Sequence, residues 1–120
     1  MIKYSATVTE IGPLVSEFIE AGVLVFFGAT APEELREFAI LHDGTQLTGD
    51  VVPGDQICLD EFCFRVLAVG EIANKNLAAL GHFIVKFNGE TMPEMPGDIC
   101  TEAQLLPQVT VGMRLEIRNS

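Results

Sequence analysis

A chain of 120 residues, 48% of them hydrophobic, has the length of one domain and enough apolar side chains for a core. Its formal charge of −10, with seven basic residues scattered along it, offers no cationic face to a phosphate backbone; this argues against nucleic acid and favours basic partners or plain solubility. The longest apolar stretch, residues 21–29, is broken by Gly22 and Gly28 and falls well short of the roughly 20 residues that cross a bilayer, and residues 1–6 lack a signal-peptide core, so the chain is expected in the cytoplasm.

In chain order, Ile2, Tyr4, Ala6 and Val8 alternate with Lys3, Ser5, Thr7 and Thr9, the period of a half-buried strand. Residues 14–21 suit a short helix that Gly22 can stop in the left-handed conformation, and residues 23–27 follow as a buried strand. Thr30-Ala31-Pro32-Glu33 reads as a capped start of a second short helix: a hydroxyl, a proline whose missing N–H costs nothing, and Glu33 to close the box. Residues 38–41 form the strand that delivers His42, and Asp43-Gly44 before residues 45–48 predicts a hairpin with a paired return strand. A second hairpin is expected from residues 51–59 and 62–70, turning at Asp60-Glu61. Asn74 to Leu80 is a two-turn helix starting at Ala73 or Asn74 and stopped by Gly81; His82 opens a strand to residue 87, and Asn88-Gly89 turns it. The triplet Pro53-Gly54-Asp55 recurs as Pro96-Gly97-Asp98, each leading to an isoleucine and a cysteine, with a weaker echo at residues 111–117. The tail, residues 118–120, is expected to fray.

Roughly six to eight short strands with turns every 8–12 residues predict an all-β fold: a small closed or partly open β-barrel, or a sandwich, with two or three short helices on its connections. Closure is favoured because it removes apolar edges. Cys58 and Cys63 flank a two-residue turn and fall opposite each other on adjacent strands, near disulfide geometry, yet a reducing cytosol predicts two buried thiols; Cys100 stands alone. A metal site from the two histidines with a cysteine or Asp43 lacks the usual ligand spacing, and no phosphate-binding glycine loop with lysine is present. His42 is the chemical candidate: a strand holds it at the rim of a rigid element, where its ring would reach both solvent and a partner, and a neutral imidazole is nucleophilic near neutral pH.

The order Ile40-Leu41-His42, Gly49, Pro53-Gly54, Leu67-Ala68-Val69-Gly70, Asn76-Leu77, Leu80-Gly81-His82, Phe87, Gly89 and Pro96-Gly97 resembles the glucitol/sorbitol-specific IIA component of the bacterial sugar phosphotransferase system. The resemblance covers nearly the whole chain. It implies one cytoplasmic β-barrel domain over residues 1–120 that accepts a phosphoryl group on a histidine from the general phosphocarrier protein HPr. The group then passes to a cysteine of the cognate IIB component, part of the IIB/IIC sugar permease, for glucitol/sorbitol uptake, with no cofactor. Carried over by position, the acceptor is His42. Some members have a further histidine just beyond the acceptor, where this chain has Asp43 and Gly44. His82 matches the second Gly-His landmark.

Phosphoryl transfer through a loose transition state needs an in-line nucleophile and donors for three peripheral oxygens. One ring nitrogen of His42 would attack, while the other gives its proton to Asp43 or to a backbone carbonyl. The N–H groups of residues 43–45, the Thr45 hydroxyl and the His82 ring are the candidate phosphate donors. Two other functions compete: a small barrel that binds an apolar ligand or peptide, with His42 incidental, and a metal-dependent enzyme using His42, His82 and Asp43.

Overall fold

The computed structural model describes residues 1–119 and consists of eight strands closed into one barrel, with three short helices on the connections. The elements run β1 (Ile2–Ile11), α1 (Val15–Glu20), β2 (Val23–Phe27), α2 (Glu33–Arg36), β3 (Ile40–His42), β4 (Gln56–Leu59), β5 (Phe62–Val69), α3 (Ala73–Leu80), β6 (Phe83–Lys86), β7 (Asp98–Thr101) and β8 (Arg114–Arg118). Around the barrel the order is β1-β3-β2-β6-β7-β5-β4-β8, and β8 returns to pair with β1. Two neighbouring pairs are parallel, β2 with β3 and β6 with β7; in the first, α2 lies on the crossover.

Alternation fills the interior. Tyr4, Ala6 and Val8 of β1 join Leu24, Phe26, Phe64, Val66, Phe83, Ile99, Leu115 and Ile117 in one buried cluster. A second cluster, Val25, Phe27, Ala31, Ala39 and Leu41, packs outside β2 and β3 with Phe18 and Phe38, whose rings stack at 5.4 Å. All three residues of β3 are therefore buried, as expected of a strand paired in parallel and covered on both faces.

The expected hairpin at Asp43-Gly44 is absent, because Asp43 spends its hydrogen bonds on β1. Its N–H donates to Thr7 O at 3.2 Å, and its carboxylate takes the Thr7 N–H at 2.7 Å, the place a carbonyl would hold in a ladder. Residues 43–55 then cross the barrel end without a strand, fixed by Thr48 N–H to Lys3 O and by Asn74, whose amide exchanges two hydrogen bonds with the Val51 backbone. The capping box at Thr30 does not form either. A separate turn, Ala31 N–H to Gly28 O, precedes the helix, so that α2 starts after Pro32 without a side-chain cap. Arg118 belongs to β8, and Asn119 exchanges two hydrogen bonds with Met1, so these two residues do not fray; Ser120 lies outside the described residues.

The hairpin of β4 and β5 is as expected and sets Cys58 directly opposite Cys63, with Cα atoms 4.0 Å apart. The two are joined as a disulfide instead of remaining thiols, the register having already brought the side chains together. Cys100 is free and buried, and burial pushes its thiol pKa up.

The repeated triplet builds one turn twice. Asp55 N–H donates to Val52 O and its carboxylate accepts the Val52 N–H at 2.9 Å; Asp98 does the same with Met95, at 3.0 Å. A lysine closes each: Lys3 Nζ lies 2.7 Å from Asp55, and Lys86 Nζ lies 2.8 Å from Asp98. The echo keeps the geometry with sulfur as the acceptor, for Met113 N–H donates to Thr110 O while the Thr110 N–H meets Met113 Sδ at 3.4 Å.

Candidate functional site

β3 ends at His42, which pairs opposite Val8. Side chains alternate along a strand, so Ile40 and His42 face the barrel interior while Leu41 joins the outer cluster. The imidazole accordingly forms the upper end of the core instead of projecting to solvent, and the residue is 1% exposed. Its ring stands edge-on to Tyr4, with centroids 5.7 Å apart and planes at 89°. Below it, Phe26 and Phe83 stack at 4.6 Å, each 6.5 Å from the imidazole centre.

Both ring nitrogens are engaged. Nε2 lies 2.8 Å from Gly81 O, and the Gly44 N–H points at Nδ1 from 3.0 Å. A carbonyl can only accept and an amide N–H can only donate, so the partners assign the proton to Nε2 and the lone pair to Nδ1. Burial pushes the pKa of the ring below its ordinary value, against the opposite pull of the Gly81 carbonyl and the Asp43 charge. His42 is thus a neutral imidazole of fixed tautomer. Of the two partners weighed for its proton, the backbone carbonyl holds it; Asp43 turns toward Thr7.

The carbonyl is placed by a close approach. Gly81 ends α3 with φ of 65°, and a Cβ there would sit 2.8 Å from His42 Cε1 and 3.1 Å from the Gly28 backbone. Only glycine satisfies both demands. Gly28, at the end of β2, donates to Leu80 O, which ties the end of α3 to the sheet behind the imidazole.

A cavity of about 310 Å³ opens over the ring, bordered by Tyr4, Gly28, Thr30, Gly44, Thr45 and Leu80. Thr45 and the backbone of residues 43–45, expected near a phosphate, do line it. The His82 ring does not. His82 comes immediately before the inward-facing Phe83, so alternation puts it on the outer face, where it stacks on Phe27 at 4.5 Å and its Nδ1–H donates to Phe26 O at 3.0 Å. The two imidazoles therefore lie on opposite faces of the sheet, yet the peptide that supplies the Gly81 carbonyl joins Gly81 to His82.

Tyr4 and Gly81 are site residues that the sequence alone did not single out; Gly44 was expected there as a phosphate donor, not as a donor to His42 Nδ1. Alternation shows Tyr4 pointing inward, and Gly81 reads only as a helix stop. Among the described residues, no three His, Cys, Asp or Glu side chains are grouped to hold a metal, and no helix is long and apolar enough to cross a membrane.

Comparison with known proteins adds a family to this geometry. Residues 3–116 match the family described as the glucitol/sorbitol-specific IIA component of the phosphotransferase system. The chain is 30% identical over 118 residues to the glucitol/sorbitol-specific EIIA components of Shigella flexneri and of Escherichia coli strain K12, spanning 98% of this chain and 96% of each of theirs. Its fold is similar to the crystal structure of a phosphotransferase-system IIA component from Enterococcus faecalis V583, with a TM-score of 0.82, 22% identity, and coverage of 95% of this chain and 98% of that one.

Proposed function

This chain belongs to the glucitol/sorbitol-specific IIA components, phosphotransferase carriers that work with other components of the same sugar phosphotransferase system, and on that premise we propose that His42 is the residue that carries the phosphoryl group. HPr is the donor and a cysteine of the cognate IIB component the acceptor. Residues 1–120 act as one carrier domain in the cytoplasm, serving glucitol or sorbitol uptake.

The observation that carries this proposal is the neutral, tautomer-fixed imidazole at the floor of a cavity. Its lone pair is on Nδ1, where the Gly44 N–H donates to it, and Gly44 belongs to a segment with no strand pairing of its own. When Gly44 withdraws, Nδ1 attacks the phosphorus of the donor phosphohistidine. The P–Nδ1 bond forms, the donor's P–N bond breaks, and the donor ring leaves with that electron pair. No proton needs to change place. His42 becomes an N-phosphorylated imidazolium whose Nε2–H still donates to Gly81 O, and both that carbonyl and the Asp43 charge favour the cation. Transfer onward reverses the step: the cysteine thiolate attacks phosphorus, the S–P bond forms, the P–Nδ1 bond breaks with its electron pair returning to Nδ1, and His42 is neutral again. The Gly44 and Thr45 N–H groups remain at hand for the peripheral oxygens, as a loose transition state requires.

Incubation with phosphoenolpyruvate, the first enzyme of the system and HPr is expected to add one phosphate, lost in acid. Nitrogen-15 NMR of labelled histidine should place it on Nδ1. Phosphorus coupling to Nε2 would overturn the tautomer assignment, and acid-stable phosphate would exclude a phosphohistidine.

For His82 we propose a positioning role through the Gly81–His82 peptide in place of direct phosphate contact. Its ring anchors that peptide to β2, so His82→Ala should let the Gly81 carbonyl drift and slow phosphoryl uptake about tenfold, or 1.4 kcal/mol on the barrier. His82→Gln can still donate to Phe26 O and should recover most of the rate. Equal rates for His82→Ala and the unsubstituted protein would remove His82 from the site altogether.

A further inference from the structure

Resting on the phosphoryl-carrier role of His42, we propose that Tyr4 is a catalytic residue of the same site, its hydroxyl donating a hydrogen bond to a peripheral phosphoryl oxygen as the group enters and leaves Nδ1. Tyr4 is 2% exposed, on the face of β1 that looks into the barrel, and its ring is held edge-on to His42. Its Oη has no hydrogen-bond partner among the described residues. A buried hydroxyl left in that state costs about 1–3 kcal/mol. Phenylalanine would occupy the same interior space without that cost, so packing gives no reason for the oxygen.

The surroundings give one. Tyr4 borders the cavity over His42, and Gly44 lies against its phenol: a methyl group at Gly44 would be 2.6 Å from Cε2, Cζ and Oη alike. Gly44 thus touches both rings: its N–H donates to Nδ1 and its α-carbon lies against the phenol. Withdrawal of Gly44 from Nδ1 opens the space it holds to a phosphoryl group. Three peripheral oxygens then need donors, and Tyr4 is a buried side-chain donor already there with its hydrogen uncommitted. Burial, then the Asp43 charge, pushes the phenol pKa up to about 12, so the proton stays on Oη throughout. The hydroxyl donates and does not transfer its proton. In this role it acts as an oxyanion donor acts elsewhere, held in place before the charge arrives.

The test is Tyr4→Phe, assayed for phosphoryl uptake from phosphorylated HPr over a range of HPr concentrations, beside thermal melting and a His42→Ala control. The expected result is a fall of about 100- to 1,000-fold in kcat, in line with the loss of one such donor, with KM little changed and one phosphate still bound at the end point. Tm should hold or rise, because the substitution removes an unpartnered hydroxyl. An unchanged kcat, a rise in KM alone, or a lower Tm would each overturn the proposal, the last by revealing that the hydroxyl holds the fold. If His42→Ala takes up no phosphate while Tyr4→Phe transfers at the normal rate, only the role of Tyr4 fails. If His42→Ala is phosphorylated, the acceptor assignment fails and the role of Tyr4 fails with it.

Discussion

Phosphoryl uptake is expected to vanish altogether in His42→Ala and equally in His42→Gln, and the glutamine variant carries the decision. Alanine leaves the Gly81 carbonyl and the Gly44 N–H facing an interior void, so part of its effect would be structural. A glutamine amide presents an N–H₂ donor and a carbonyl acceptor, the same pair of functions that the imidazole offers to Gly81 and Gly44. It therefore keeps the hydrogen bonding of the site and removes only the nucleophile. Intact mass after incubation with the phosphorylating enzymes should show no increment in a protein that melts like the parent. A residual acid-labile phosphate on His42→Gln would mean that the only other histidine, His82, accepts the group, against its place on the outer face of the sheet.

The second large effect is on stability. Lys3→Met should cost about 3–5 kcal/mol, a large share of the 5–15 kcal/mol typical of a domain. The Lys3 and Asp55 side chains are 11% and 4% exposed, and the ammonium also donates to Asp50 O at 2.8 Å. Removing the lysine strands the Asp55 carboxylate with the Val52 N–H as its one remaining hydrogen bond. Adding Asp55→Asn should restore most of the loss, because the amide oxygen can still accept from Val52 and no buried charge is left over. Urea unfolding would show this as a lower midpoint at constant slope, recovered in the double variant. A loss below about 1 kcal/mol in Lys3→Met would make the pair a surface ion pair in energetic terms.

Local chemistry made much of the barrel legible in the sequence. The alternation of residues 2–9, the left-handed stops at Gly22 and Gly81 and the Asp60-Glu61 hairpin are properties of neighbouring residues, and the structure has each of them. The parallel pairings of β2 with β3 and β6 with β7 depend on which distant strands meet, and no local period encodes that. Asp43-Gly44 has the composition of a hairpin turn, but Thr7 and His42 claim its donors and acceptors, so tertiary partners prevail over turn preference. The site divides in the same way. His42 was legible as a histidine ending a strand, whereas its burial, its tautomer and the orphaned hydroxyl of Tyr4 arise from contacts across the barrel. For His82, one position of strand parity, fixed by the inward Phe83, decides between sharing the cavity and facing away from it.

The seam between β1 and β8 bears on how the site comes into being during synthesis. β1 contributes Tyr4 and holds β3, and with it His42, yet its other edge is completed by residues Arg114–Arg118, which a ribosome adds more than a hundred positions later. A nascent chain halted before β8 leaves β1 with one row of amides unpaired and Ile57 and Leu59 of β4 without the strand that carries Leu115 and Ile117 opposite them. Contacts of such sequence separation form late, after the entropy of closing the intervening loop has been overcome. Barrel closure, and the enclosure of the imidazole that goes with it, thus awaits translation of the last strand.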